Sequence, residues 1–363
     1  MRFSLYTELQ NPPGKPHAQT YGELLEAIEQ ADRLGYHNLS LVEHPWYEQF
    51  SISASPLAVF SAAAQRTRRI RFRTALHTLP LHNPLRLAGE IAVADILTGG
   101  RLEVGLGRGH AWLYPPGQVP VAASAGRFAE GVEVLLRAWT EDRFSFAGEH
   151  FQFDDVSVVP KPLQRPHPPI VTGGGSDRSQ RQAGERGWSL MIGPFTRVEL
   201  IPERLAAYRA ACARHGHTPD VIIVRTVYLD RDAERALADA REPLVRFLRW
   251  QAAPVAALPP REELLAANWL QYASNAHAEY MTTTTFEQAL ADGVAYVGAP
   301  EQVAAQIAAA WAPLGVDELS IIAHFGGLAH WQVLRTQELF AQEVVPLLAR
   351  QGLMKGSGRA APL

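Results

Sequence analysis

The sequence has 363 residues, a formal net charge of −3, 47% hydrophobic residues and 20% charged residues. This composition supports a large buried core, so general intrinsic disorder is excluded. The chain has no long run of Lys or Arg, and we therefore expect no nucleic-acid partner, which would require a clustered basic face.

The N-terminal segment and the single cysteine bear on the cellular compartment of the protein. The chain moves from Met1 directly into a strand-like segment and lacks the apolar core of a signal peptide. No window holds the ~18 uninterrupted apolar residues that a membrane span needs. Cys212 stands among alanines, which predicts an inert thiol buried in a helix. We expect a cytoplasmic protein without a membrane partner.

In chain order, short β-rich segments alternate with longer segments of helical periodicity. The predicted strands are Arg2–Leu5, Asn38–Val42, Ile70–Leu76, Leu102–Leu106, Pro169–Thr172, Trp188–Ile192, Val221–Leu229 and Leu319–Ala323. The predicted helices are Tyr21–Leu34, Pro56–Ala64, Pro84–Leu97, Phe128–Trp139, Ser176–Gly184, Arg197–His215 and Trp331–Leu348. Because nearly every strand is followed by a helix, we predict the α/β class with a single (β/α)8 TIM barrel.

Two segments interrupt this alternation and predict insertions after strands four and seven. Phe144–Val159 has the pattern of a small hairpin. The segment from Pro243 to Thr285 is either a substrate lid on the C-terminal side of the barrel or a helical insert on its outer wall. We assign residues 1–351 to the barrel and residues 352–363, rich in Gly, Ala and Pro, to a mobile C-terminal tail.

Two predicted strand ends have the chemistry of a phosphate site, and a TIM barrel places its active site at the C-terminal ends of its strands. A glycine-rich turn, residues 173–176, opens the helix after strand five, where free backbone N–H groups and the helix dipole suit a phosphate. Such a turn without a ligand is equally common. Arg108 stands between two glycines at the end of strand four, and a guanidinium can hold a phosphate by two parallel hydrogen bonds. Together the two loops predict a phosphate clamp for a mononucleotide.

Several histidines also follow predicted strands: His44, His77, His82, His110 and His324. A lone histidine is more often structural than catalytic, but His44 lies at the expected catalytic face beside Glu43. The usual ligand spacings of a metal site are missing, so we predict no metal. Glu43 and Glu103 are a poor glycosidase pair because Glu103 falls inside strand four.

Several motifs, taken jointly and in order, are specific: residues 41–44 (LVEH), 79–86 (LPLHNPLR), 99–109 (GGRLEVGLGRG), 162–164 (PLQ) with 168–170 (PPI), and 296–301 (YVGAPE). With these motifs the chain resembles the bacterial luciferase-like flavin-dependent monooxygenase family from its first strand to its last helix. The resemblance implies a (β/α)8 barrel that binds FMN, usually as FMNH2 delivered by a separate NAD(P)H-dependent flavin reductase. It also implies a homodimer.

The resemblance implies roles for individual residues. Four residues match the family's phosphate cradle: Arg108, Gly175, Ser176 and Ser179. His44 matches a histidine near the reactive edge of the flavin, where it assists the oxygen chemistry. The peptide between Ala75 and Leu76 matches a position that is often a non-proline cis bond under the isoalloxazine ring.

The reaction implied is monooxygenation of a small to medium apolar organic substrate through a C4a-peroxyflavin formed from FMNH2 and O2. Four residues are expected to line the substrate pocket: Trp46, His110, Phe195 and Phe325. Pro45 and Gly107 differ from the luciferases themselves, which argues against light emission and long aldehyde substrates but not against flavin binding.

Two alternative functions remain. One is a deazaflavin-dependent hydride-transfer oxidoreductase, although relatives of that kind typically have a small residue at the position of Arg108 and a carboxylate at that of His110, so FMN is favoured. The other is a flavin-binding barrel without catalytic activity, against which His44 and Arg108 argue.

Overall fold

The strands of the protein form a closed ring that is surrounded by helices. The structure is a computed structural model that describes residues 1–274 and 276–353. The strands are β1 (Arg2–Thr7), β2 (Asn38–Leu41), β3 (Arg71–Thr74), β4 (His77–Thr78), β5 (Leu102–Gly107), β6 (Phe144–Ala147), β7 (Gln152–Val156), β8 (Ile170–Gly173), β9 (Ser189–Ile192), β10 (Val221–Leu229), β11 (Ala295–Gly298) and β12 (Glu318–Ile322).

The α-helices cover the outside of the ring and the connections between strands. They are α1 (His17–Leu34), α2 (Pro56–Ala64), α3 (Pro84–Leu97), α4 (Tyr114–Gly117), α5 (Ser124–Thr140), α6 (Asp177–Glu185), α7 (Ile201–His215), α8 (Ala233–Ala252), α9 (Arg261–Ala266), α10 (Leu270–Ala273), α11 (Ala276–Thr283), α12 (Phe286–Ala291), α13 (Pro300–Trp311), α14 (His330–Leu339) and α15 (Val345–Arg350). Most of the predicted C-terminal tail, residues 354–363, lies outside the described residues.

The ring is a parallel barrel in the order β12, β1, β2, β3, β5, β8, β9, β10, with β10 pairing back to β12. These are the eight predicted strands, and their ends agree with the prediction to within two residues. The TIM-barrel prediction is therefore confirmed. Two further strands lie outside the ring order, since β4 pairs with the end of β5 and β11 pairs with residues 226–229 of β10.

The barrel interior is ionic near its base and apolar closer to the mouth. Arg73 is 1% exposed and lies 2.7 Å from a carboxylate oxygen of both Glu103 and Glu318. Burial alone would raise the pKa of Glu318, but Arg73 outweighs it and holds that pKa at about 2. Nearer the mouth, Tyr6 and Val42 belong to an apolar cluster. Glu103 is thus committed to a buried ion pair, which agrees with its exclusion as a general acid.

The chain has extra elements in both predicted insertions. The antiparallel pair β6–β7 forms the predicted hairpin. Between β10 and β12 the chain forms α8 to α13 and β11. The insertion was expected to start at about Pro243, and this residue falls inside α8, which begins at Ala233 and continues through Pro243. A proline usually ends a helix, so the sequence pattern misplaces this boundary.

Two other expectations concern single features. Cys212 is buried in α7, as predicted. Within residues 1–274 and 276–353, no helix combines the length and the apolar character needed to cross a membrane.

Candidate active site

His44 lies on the wall of the barrel mouth, just beyond the end of β2. Its backbone N–H donates to the Ser53 carbonyl at 2.8 Å, and its ring lies 5.0 Å from Phe50, 5.2 Å from His110 and 5.3 Å from Trp112, measured between centroids. Burial lowers the pKa of His44 to about 4, so the imidazole is neutral at pH 7. Its Nδ1 has no hydrogen-bond partner among the described residues. A neutral imidazole with an unused nitrogen can take up or position a proton.

The insertion after β10 covers the same side of the mouth. The His110 ring stacks on Trp112 at 4.9 Å, and its Nδ1 shares a hydrogen bond with the hydroxyl of Tyr272. Tyr272 and Trp269 are buried against Phe50 and Trp112 in one apolar cluster. The part of the insertion around Trp269 and Tyr272 therefore packs over the loops after β2 and β5, which favours the lid interpretation over an outer-wall insert.

Glu43 lies at the centre of a buried hydrogen-bond network. One carboxylate oxygen lies 3.1 Å from Nδ1 of His77, while the other lies 2.9 Å from Nε2 of His82 and accepts the Thr78 N–H at 3.0 Å. Burial alone would raise the pKa of Glu43, but the two imidazoles outweigh it and hold that pKa well below its usual range. These three side chains offer ligand atoms within 4.8 Å of one another, so they could also hold a metal ion. The absence of a metal stays a prediction.

Leu76 forms the floor of the mouth on the β5 and β8 side. The peptide between Ala75 and Leu76 is cis, as the resemblance implies. An added Cβ would lie 2.7 Å from a Leu76 methyl at Gly105 or at Gly107, and 3.3 Å from one at Gly173. The three glycines thus leave the space that the Leu76 side chain fills. An apolar surface of this kind suits an aromatic ring system.

Arg108 and the N-terminal turn of α6 are the two halves of the predicted phosphate clamp. The Arg108 guanidinium lies 4.4 Å above the Trp269 ring and, among the described residues, donates to no acceptor and pairs with no carboxylate. Burial lowers the pKa of Arg108; the Tyr114 side chain opposes this effect, and the charge of Arg178, in the first turn of α6, adds to it. A partly buried guanidinium that pairs with no carboxylate among the described residues can hold an anion.

The turn before α6 is already arranged as a helix N-terminus. The Ser176 hydroxyl accepts the Ser179 N–H at 3.3 Å, and the Ser179 hydroxyl accepts the Ser176 N–H at 3.1 Å, which is a capping box. The Gly175 N–H has no partner among the described residues, and an added Cβ there would meet nothing within 4 Å. The Gly175 N–H and the open space beside it lie at the positive end of a helix, an arrangement that suits a phosphate group.

The predicted pocket residues fall into separate groups. The Phe195 ring lies 5.5 Å from Phe247, which lies 6.0 Å from Phe325, so these two predicted residues share one aromatic cluster beside α8. His110 lies on the His44 side. Trp46 stays 42% exposed at the rim, close to Gly117, so the structure does not bury it in a pocket.

Two buried polar residues at the end of β1 were not found from the sequence. Glu8 and Gln10 are 4% and 0% exposed. Glu8 directly follows β1 and Gln10 comes two residues later, at a strand end where site residues are expected. The sequence signal for Glu8 was an acidic residue shortly after a predicted apolar strand.

Comparisons with known proteins agree with this geometry. A sequence profile of the luciferase-like monooxygenase family matches residues 1–318. The chain belongs to this family. A flavin-dependent trigonelline monooxygenase, oxygenase component, of Acinetobacter baylyi is 30% identical over 67% of this chain and 69% of that protein. An FMNH2-dependent dimethylsulfone monooxygenase of Pseudomonas putida is 31% identical over 73% of this chain and 71% of that protein.

A solved structure, that of monooxygenase RslO1 from Streptomyces bottropensis, covers 95% of this chain and 99% of its own, with a TM-score of 0.79 and 28% identity. As a member of the luciferase-like family, the 363-residue chain is an oxidoreductase. Its monooxygenase relatives support a flavin cofactor. Other relatives, 26–28% identical, are F420-dependent glucose-6-phosphate dehydrogenases. The relatives alone thus leave the choice between the two cofactors to the residues of the site.

Proposed function

We propose that the protein is a monooxygenase that uses FMNH2 and O2 to oxygenate a small to medium apolar organic substrate. The observation that carries the proposal is the unpaired Arg108 beside the N-terminus of α6, at the same mouth as the neutral His44. Bound FMNH2 would supply the chemistry, since its reaction with O2 gives the C4a-peroxyflavin that donates oxygen. The protein supplies binding, orientation and the exclusion of water.

Each site residue has a part in this proposal. The phosphate of FMN would be held by the Arg108 guanidinium and the Gly175 N–H, with the Ser176 N–H and the Ser179 hydroxyl exchanging their mutual bonds for bonds to it. Ala75 and Leu76 support the ring system from below. His44 exchanges or positions a proton at the reactive edge of the flavin. The substrate lies near His110 and the cluster of Phe195 and Phe325, with Trp46 at the entrance.

Hydride transfer to or from F420 is the second candidate function, because several relatives are F420-dependent dehydrogenases. Two residues favour FMN over F420. Arg108 offers a guanidinium to a phosphate where a small residue would be expected for a deazaflavin, and His110 is an imidazole bonded to Tyr272 where a carboxylate would be expected.

Two partners complete the proposal. A separate NAD(P)H-dependent flavin reductase would deliver FMNH2 in the cytoplasm, as suggested by a relative that is an oxygenase component. A second copy would bind at the apolar surface of α3, where Val93, Ile96 and Leu97 are 43%, 43% and 49% exposed beside Val159 at 83%. A monomer in light scattering at micromolar concentration would contradict the homodimer.

Rapid mixing tests the function directly. The protein with photoreduced FMN is mixed with oxygenated buffer, and flavin absorbance is followed. We expect an oxygenated flavin that persists far longer than in buffer alone. Return to oxidised FMN at the protein-free rate would show that this site does not stabilise an oxygenated flavin. Tight binding of F420 in a parallel fluorescence titration would then support the second candidate function.

A further inference from the structure

The end of β1 presents two buried polar side chains with unused hydrogen-bonding atoms. Glu8 accepts the Tyr6 hydroxyl on Oε1 at 3.0 Å, while its Oε2 has no partner among the described residues. Gln10 accepts the Gly326 N–H on Oε1 at 2.8 Å, which leaves its Nε2 without an acceptor among those residues. Buried polar groups are nearly always satisfied, so each such atom requires an explanation.

The strand register places Tyr6, the hydrogen-bond partner of Glu8, on the inner side of the barrel. In β1, Arg2 is paired with Glu318 and Tyr6 with Ser40, and both of these partners contact the interior Arg73. Side chains alternate along a strand, so Ser4 and Tyr6 share this inner face. Glu8 follows Tyr6 by two residues and is bonded to its hydroxyl, so it lies one layer closer to the mouth.

The surroundings of Glu8 keep its carboxyl group protonated. Burial raises the pKa of Glu8 to about 8, and the hydrogen bond from Tyr6 offsets only part of this effect. Tyr6 itself is neutral, because burial and the neighbouring Glu8 raise its pKa well above the usual value. His44, which follows the neighbouring strand β2, is neutral as well. At pH 7 the carboxylic acid therefore has an O–H donor without an acceptor.

We propose that Glu8, assisted by Gln10, binds the carbonyl oxygen of an uncharged organic substrate at the barrel mouth. Both residues offer donors and neither offers a free charge, which suits an oxygen acceptor and disfavours a cationic group. The substrate in this inference rests on the proposed function, whereas the protonation state of Glu8 does not. The pyrimidine carbonyls of FMN have the same chemistry, and the binding experiment distinguishes the two sources.

Infrared difference spectroscopy of the flavin-free protein tests the state of Glu8. We expect a carboxylic-acid C=O band at pH 7 that disappears in Glu8→Gln and that shifts in Tyr6→Phe, because the Tyr6 hydroxyl bonds to the same carboxyl group. The absence of a Glu8-dependent acid band at pH 7 would overturn the proposal, whatever the rapid-mixing result.

Binding of cyclohexanone, with methylcyclohexane as the matched ligand without a carbonyl, tests the subsite in FMN-loaded protein. In Glu8→Leu we expect cyclohexanone binding to weaken about tenfold, the scale of one neutral hydrogen bond, with methylcyclohexane binding and the Kd of FMN unchanged. Glu8→Gln retains a donor and should stay within about threefold of the wild type. Equal affinity of the wild type for both ligands, or a weakened Kd of FMN in Glu8→Leu, would overturn the proposal.

Discussion

Replacing Arg108 with alanine tests the phosphate site in a way that separates binding from folding. The guanidinium pairs with no acid among the described residues, so its removal leaves no carboxylate unpaired. A charge-assisted hydrogen bond contributes ~1.5–3 kcal/mol, and Arg108→Ala should therefore raise the Kd of FMN about 10- to 150-fold. Loss of the stacking on Trp269, 4.4 Å away, costs only about 0.5–1 kcal/mol of folding stability.

Titrations of flavin fluorescence with FMN and with riboflavin provide the decisive comparison, because riboflavin has no phosphate. Arg108→Ala should weaken FMN binding and leave riboflavin binding nearly unchanged. Arg86→Ala is the matched control, since this arginine of α3 is 81% exposed, pairs with Glu90 and should change FMN binding less than about fivefold. An equal loss for both ligands would refute the clamp and show that Arg108 acts by packing the loop against Trp269.

Three further predictions concern other parts of the molecule. His44→Ala should keep the Kd of FMN but convert consumed O2 to hydrogen peroxide instead of product, as measured by peroxide yield. Tyr272→Phe should speed hydrogen exchange of residues 264–273 about fivefold, the scale of one lost hydrogen bond of ~1 kcal/mol, without lowering Tm. Glu318→Gln should lower unfolding free energy by about 3–5 kcal/mol at pH 7. Because the folded pKa of Glu318 is depressed to about 2, this stabilisation is fully present above the unfolded pKa and is lost as pH falls through the folded pKa, so in denaturant titrations the difference between wild type and variant should shrink from pH 5 to pH 3 and nearly disappear only near pH 2.

Much of the barrel was predictable because its strands have local signals. Buried parallel strands are short apolar runs bounded by Gly, Pro or polar turns, and Val221–Leu229 is predicted with both ends correct. The strand Ala295–Gly298 was missed because its partner is the upper end of β10 and no sequence period reports that pairing. The start of α8 was missed because Pro243 is tolerated inside it.

The candidate site was predictable only where a residue type is unusual for its position. Arg108 between two glycines and the turn before Ser176 have such signals, and the charge of Arg178 on α6 acts on Arg108 in the folded chain. Trp269 and Tyr272 lie far along the chain in an insertion, so nothing local predicts that they pack on Arg108 and His110. The residues next to Glu8 do not mark it as a site residue. Its carboxyl group is unusual because it is buried, and the local sequence does not report that burial.

The ionic layer at the base of the barrel has a consequence for how this protein can diverge. Arg73, Glu103 and Glu318 fasten β3, β5 and β12 to one another below the mouth, so the scaffold is held together by residues that no ligand reaches. Residues at the mouth, such as Phe195 and Trp46, can then be exchanged at small cost in folding stability. Selection for a new substrate can act on the rim of the barrel while the base stays unchanged.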